Sequence, residues 1–265
     1  MILLGCNWSR ELIQLIQEEN MPVDYIKAGA YGLFEAELQN MAAMRPVLLH
    51  GLGYFERAGM RDPNIVDFTR ANQLIKSCRS PHFGIHLSIR NADLDPGMSN
   101  DDIHMRMATC VNLFQKALAV PLLLENTPDS PEDRTEFDHY PYAEPEHVCR
   151  LLHETDAYLL LDLTHAKITC QFRQWDVHAY LQALPLCRVR EMHVNGSEFD
   201  AGGWPIDTHR PMEDADFELL QWVLQYVSPQ VVSLEYGVPC AMGIAGANIN
   251  VLREQLLRLR DICGK

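Results

Sequence analysis

The chain has 265 residues, 47% hydrophobic and 22% charged, with a formal net charge of −14 at pH 7, a size and balance suited to one large globular domain with a substantial core. No apolar stretch approaches the roughly 18 residues of a membrane helix, and the start Met1-Ile2-Leu3-Leu4-Gly5 lacks the basic region of a secretory signal. The acidic balance speaks against nucleic acid and anionic membranes as partners, because phosphate attraction needs a basic face.

Cytoplasmic residence is therefore the expectation. The cysteines are scattered without a C-x-x-C pair, so no disulfide framework is expected. Cys6 and Cys240 follow strand-like runs near the positions discussed below.

Strand-like runs cover 2–7, 23–28, 46–50, 83–88, 121–125, 157–162, 189–194 and 231–236. Helix-like segments alternate with them near 9–20, 33–43, 64–79, 101–118, 145–154, 175–184, 213–227 and 248–262. Start signals include Ser9 ahead of Glu11 and Leu12, Asn64 ahead of Ile65-Val66, Asn100-Asp101-Asp102, and Pro145 at a first helical position. Eight strand–helix pairs predict a single (β/α)8 TIM barrel spanning 1–265. A doubly wound open sheet is the alternative, but Gly5-Cys6-Asn7-Trp8-Ser9 is not a glycine-rich phosphate fingerprint. The connections 51–63, 126–144 and 195–212 are long and rich in Gly or Pro, and are expected to shape a substrate cavity over the barrel mouth.

Six apolar runs end in residues that can ligate metal: Leu49-His50, Ile85-His86, Leu124-Glu125, Leu161-Asp162, Met192-His193 and Leu234-Glu235. The last residue of such a strand lies at the sheet edge where α/β folds build their sites. Asp162-Leu163-Thr164-His165 adds an imidazole just past one strand, and Asp207-Thr208-His209 places two ligands on one side of an extended segment. Carboxylates converging at low effective dielectric repel one another, and divalent cations remove the conflict. The candidate metal ligands are His50, His86, Glu125, Asp162, His165, His193, Asp207, His209 and Glu235, with Glu125 expected to bridge ions and Glu125, Asp162 and His193 to act in catalysis. Imidazole and carboxylate without cysteine suit Fe, Mn or Zn. Asn126, Asn195, Lys167 and Tyr236 are candidates for orienting substrate.

The order His50, His86, Glu125, Asp162-x-x-His165, His193, Asp207-x-His209, Glu235 is similar to the trinuclear site of endonuclease IV, an apurinic-site nuclease with a xylose-isomerase-like TIM barrel. That resemblance implies one ion at His50, His86 and Glu125, a second at Glu125, Asp162, His193 and Glu235, and a third at His165, Asp207 and His209. The local sequences Leu49-His50-Gly51-Leu52-Gly53, Leu123-Leu124-Glu125-Asn126, Leu160-Leu161-Asp162, His193-Val194-Asn195-Gly196 and Asp207-Thr208-His209 resemble the multinuclear non-haem iron-dependent oxidases of the methanobactin-biosynthesis type. Here Lys27-Ala28-Gly29-Ala30-Tyr31-Gly32 replaces the Glu- and Asn-rich segment usual in that family, and His165 stands where many members carry Asn. This second resemblance implies two or three irons, O2 activation and oxidation of a cysteine in a ribosomally made peptide, often with a small partner protein; the leading expectation is an iron oxidase acting on such a peptide or on a small thiol. The competing expectations are a zinc phosphodiesterase acting on abasic DNA, a divalent-metal sugar isomerase or epimerase, and a non-catalytic metal- or peptide-binding module. The net charge disfavours the first, and the surplus ligands His165, Asp207 and His209 have no purpose in the second.

Overall fold

Short Val-, Leu- and Ile-rich runs can be buried on both faces only in a parallel sheet wrapped by helices. Leu122–Glu125 and Val231–Leu234 are indeed buried at every position. A computed structural model describes the chain except residues 30–31, 52–56, 138–141, 238–245 and 265 and the side chains of 32–34. Cys240 and the middle of the 51–63 connection lie outside the described residues.

The strands are β1 (Leu3–Asn7), β2 (Tyr25–Ala28), β3 (Val47–His50), β4 (Phe83–His86), β5 (Leu122–Glu125), β6 (Tyr158–Asp162), β7 (Val189–Val194), β8 (Gly196–Phe199), β9 (Pro205–Arg210) and β10 (Val231–Leu234). β1 to β7 and β10 form a closed parallel barrel in which β10 lies between β7 and β1. The helices are α1 (Arg10–Glu19), α2 (Gly32–Met44), α3 (Phe68–Cys78), α4 (Asn100–Ala117), α5 (Pro145–Thr155), α6 (Leu163–Arg173), α7 (Val177–Ala183), α8 (Asp214–Val223) and α9 (Ile249–Cys263). The expected TIM barrel is therefore present. No helix of the described residues is long and apolar enough to cross a membrane.

Local chemistry sets most helix starts. Ser9 accepts from Leu12 N, and Ser99 with Asp102 forms a capping box ahead of α4. Asn64 does not start α3: it sits in a 3-10 turn, and Asp67 caps the helix by accepting from Arg70 N. The helix expected at 175–184 is preceded by α6, which starts directly at the end of β6. Leu163, Thr164, His165, Ala166, Ile168, Thr169 and Cys170 of α6 are all buried, so it has no one-sided apolar stripe to read. The connection 195–212, expected as a loop, contains the antiparallel hairpin β8–β9. Its turn is closed by Asp200 N donating to Trp204 O and by Gly203 at φ 80°.

The barrel register sets two pairs of the site's residues against each other. His86 pairs with Glu125 across β4 and β5, and Asp162 with His193 across β6 and β7. Neighbouring residues in register project to the same face, so the two members of each pair lie side by side inside the barrel, while the register steps by two residues from β3 to β4, where His50 is opposite Gly84, and from β5 to β6, where Glu125 is opposite Leu160.

Candidate metal centre

Glu125 occupies the centre of the strand-end side chains, 2% exposed. Its two oxygens face different partners. Oε2 lies 2.6 Å from His50 Nε2 and 3.4 Å from His86 Nε2, whereas Oε1 lies 2.9 Å from His193 Nδ1 and 3.8 Å from His165 Nδ1. The ligand atoms of His50, His86 and Glu125 all fall within 4.8 Å of one another, as do those of Glu125, Asp162, His193 and Glu235. These are two candidate metal sites sharing one carboxylate.

His165, Asp207 and His209 gather beside them. Asp207 Oδ2 is 3.0 Å from His165 Nε2 and 3.5 Å from His209 Nε2, and His209 Nε2 is 3.9 Å from Glu235 Oε2. His209 reaches this position with φ 50°, an unusual conformation for a residue with a side chain. The sequence-predicted ligands thus stand within one connected cluster at the carboxyl ends of the barrel strands.

Among the described residues, three buried atoms in this cluster have no hydrogen-bond partner: Asp162 Oδ2, and His50 Nε2 and Glu125 Oε2, which face each other at 2.6 Å without hydrogen-bond geometry. Buried polar atoms left unsatisfied are costly. An imidazole nitrogen and two carboxylate oxygens orphaned together are the donor set a divalent cation satisfies, so these residues fit a metal.

The protonation pattern agrees. Burial alone would raise Glu125, but His50, His193 and His86 outweigh it and hold it well below the usual carboxylate range. Burial pushes Asp162 up to about 7; His165 opposes this, and Glu125, Glu235 and Asp207 add to it. His193, which burial would lower, is raised to about 10 by Glu235 and Glu125, with Lys27 opposing them. His86, its side chain 31% exposed, is pushed down by desolvation despite Glu125, with the like charges of His50, His165 and Lys27 adding to the fall. Without metal the carboxylates of the cluster face protons, imidazolium and the Lys27 ammonium. Ligation requires neutral imidazole and ionised carboxylate, so metal uptake at neutral pH is expected to release protons, and affinity is expected to fall as pH drops. Calorimetric titration in two buffers of different ionisation enthalpy checks this; a heat independent of the buffer would contradict it.

Residues beneath the cluster fix its geometry. Glu191 lies two positions before His193 on β7, so both point inward. Its Oε1 accepts from His193 Nε2 at 3.2 Å and from Ser233 Oγ at 2.7 Å, and its Oε2 accepts from His82 Nε2. This leaves His193 Nδ1 aimed at Glu125 and Glu235, the carboxylate–histidine arrangement that orients metal ligands. Glu191 and His82 are not among the residues singled out from the sequence, although the inward i, i+2 spacing on β7 is an available signal for Glu191. His165 is held by Nδ1–H donating to Asn126 O at 2.8 Å, leaving Nε2 toward Asp207. Asp162 both caps α6, through Oδ1 accepting from His165 N at 2.7 Å, and turns Oδ2 into the cluster.

His50 needs Gly84. A β-carbon at that position would lie 2.6 Å from His50 Cδ2. Gly84→Ala is expected to displace the ring and lose metal at the His50 site, which elemental analysis of the purified variant measures.

The four residues expected to orient substrate each make at least one hydrogen bond or ion pair inside the protein. Asn126 Nδ2 donates to Asp162 O while its Oδ1 accepts from Asp162 N, both at 2.9 Å. Asn195 Nδ2 donates to Asp207 Oδ1 at 2.7 Å. Lys167 pairs with Asp216, and the Tyr236 hydroxyl accepts from Asn248 N. A cavity of about 180 Å³ opens beside His86 and His165, walled by Arg57, Thr127, Pro128, Asp133 and Phe137.

Comparison with known proteins bears directly on this geometry. The family of RiPP precursor modification enzymes MbnB/TglH/ChrH matches residues 3–240. This chain belongs to that family. Its relatives include a UPF0276 protein of Acaryochloris marina, 29% identical over 213 residues that make up 77% of this chain and 75% of that one. A UPF0276 protein of Bordetella pertussis is 32% identical over 148 residues, 54% of this chain and half of the relative's length. Among solved structures, the IolI protein with a bound zinc atom superposes with TM-score 0.66 at 14% identity, over 99% of this chain and 98% of that one. D-psicose 3-epimerase, in the presence of D-fructose, superposes with TM-score 0.62 at 12% identity over the whole of both chains. With a candidate xylose isomerase from Rhodospirillum rubrum at TM-score 0.65, 15% identity and 100% and 99% coverage, these likenesses give the fold: a xylose-isomerase-like TIM barrel. The MbnB/TglH/ChrH match makes the chain a member of an enzyme family that modifies ribosomally made precursor peptides.

Proposed function

We propose that this enzyme is a multinuclear non-haem iron oxidase that uses O2 to modify a cysteine-containing peptide or a small thiol. The observation that carries the reading is Glu125, with one oxygen toward His50 and His86 and the other toward His193. A buried carboxylate so divided suits two ions held side by side.

In this reading His50, His86 and Glu125 hold one ion, and Glu125, Asp162, His193 and Glu235 a second. His165, Asp207 and His209 offer a place for a third. Iron in such a set supplies one-electron chemistry and open positions for a thiolate and O2. The chain's own residues do the rest. Glu191 fixes the His193 tautomer, Asn126 holds the Asp162 backbone, and the cavity beside His86 and His165 receives the sulfur-bearing residue. Arg57 and Asp133 place opposite charges on its wall, suited to the polar backbone of a peptide. A small partner protein that presents the peptide belongs to the same proposal. Membership of a peptide-modifying family and the acidic net charge both weigh against a nucleic-acid substrate.

Anaerobic purification, elemental analysis and O2 uptake test the reading. Two or three irons per chain, visible charge-transfer absorption, and O2 consumption with a mass change on a cysteine peptide or small thiol are expected. Stoichiometric zinc with no O2 uptake after anaerobic reconstitution with Fe(II) would overturn it.

A further inference from the structure

Lys27 is placed on β2 with its side chain turned into the barrel, and the residue is 7% exposed. Its ammonium is paired with Glu235 Oε1. The other oxygen, Oε2, faces His193 Nδ1 at 3.4 Å and His209 Nε2 at 3.9 Å. A buried ammonium is costly unless anions repay its desolvation. Here Glu235 does so at contact, and the charges of Glu125 and Glu191 add to it. None of the chemistry proposed above uses this cation.

The two candidate metal groups differ in charge. The first combines two imidazoles with Glu125 alone, whereas the second has Glu125, Asp162 and Glu235 with one imidazole. By carboxylate count the second would hold a divalent ion the more tightly. A fixed positive charge bound to one of its carboxylates opposes that order.

We propose that Lys27 is a resident cation of the metal centre: it occupies Glu235 Oε1, leaves only Oε2 for metal, and weakens ion binding at the second group so that the first fills before it. The same charge offsets carboxylate repulsion in the metal-free chain and stabilises the fold until ions arrive. Lys27 is thus a positioning residue acting through Glu235. The inference rests on the two-ion reading.

The test is titration of metal-free protein with Co(II), whose visible absorption counts bound ions, alongside thermal melts. Wild type is expected to bind in a tight and then a weaker phase. Lys27→Met and Lys27→Gln should tighten the weaker phase at least about tenfold, lower the Tm of the metal-free protein, and regain it on loading. Lys27→Arg, which keeps the charge, should retain the wild-type phases. A second phase unchanged or weakened in Lys27→Met and Lys27→Gln is what a packing role would give, and it overturns the proposal, as does Lys27→Arg behaving like Lys27→Met. If a variant folds only with metal present, chelator competition reads the second ion's release, and release as fast as wild type or faster is the contrary result. Wild type that takes up no metal would instead overturn the two-ion reading itself.

Discussion

Glu125→Gln is expected to empty both metal groups at once. Gln keeps the size of the side chain, so the barrel persists, but it offers a neutral oxygen and an NH2 where two anionic oxygens stood. His50 and His86 lose the only carboxylate in their group, and the second group loses the oxygen that His193 Nδ1 faces at 2.9 Å. Removing a residue that merely supports a ligand costs roughly 10–100-fold in metal affinity; removing the shared carboxylate should exceed that. Elemental analysis should find less than one tightly held ion per chain, and turnover should fall with it. Full metal content in Glu125→Gln would show that the two groups do not share an ion-bridging carboxylate.

Glu191→Gln should produce the next largest effect, from a residue that lies beneath the proposed ligand groups. Glu191 is 2% exposed and gathers hydrogen bonds from His193 Nε2, Ser233 Oγ and His82 Nε2. As a carboxylate it enforces Nε2–H on His193 and thereby a free Nδ1. Gln can present NH2 to the ring and select the opposite tautomer, which places a proton on the ligating nitrogen. Metal affinity at the second group is expected to fall by roughly 10–100-fold, and the fold to lose about 1–3 kcal/mol from the broken buried network. His50 and His86 do not touch Glu191 in the described contacts, so the first ion should remain. Equal loss of both ions would indicate general loosening of the barrel instead of a tautomer effect.

The side chains of the candidate centre could be read from the chain because a parallel barrel buries both faces of its strands. A His, Asp or Glu ending a run such as Leu122-Leu123-Leu124-Glu125 has nowhere to go but the carboxyl rim. Asp162 shows the limit of reading one role per residue, since it caps α6 and faces His193 as well. The supporting layer was harder to see. Glu191 and Lys27 lie inside their strands and not at the ends, where an ionisable residue in sequence reads as a break in the apolar pattern. Their meaning appears only once β10 brings Ser233 and Glu235 beside them. Helix α6 escaped because it is buried around most of its circumference, and β9 because its residues are polar on both sides.

The central claim is that Glu125 is shared by two ions. Anomalous diffraction from crystals of anaerobically reconstituted enzyme at the iron edge tests it most directly. The account predicts two peaks flanking the Glu125 carboxylate, roughly 3.5–4 Å apart, one beside His50 and His86 and the other beside Asp162, His193 and Glu235. A single peak remote from Glu125, or none in fully reconstituted protein, would contradict it.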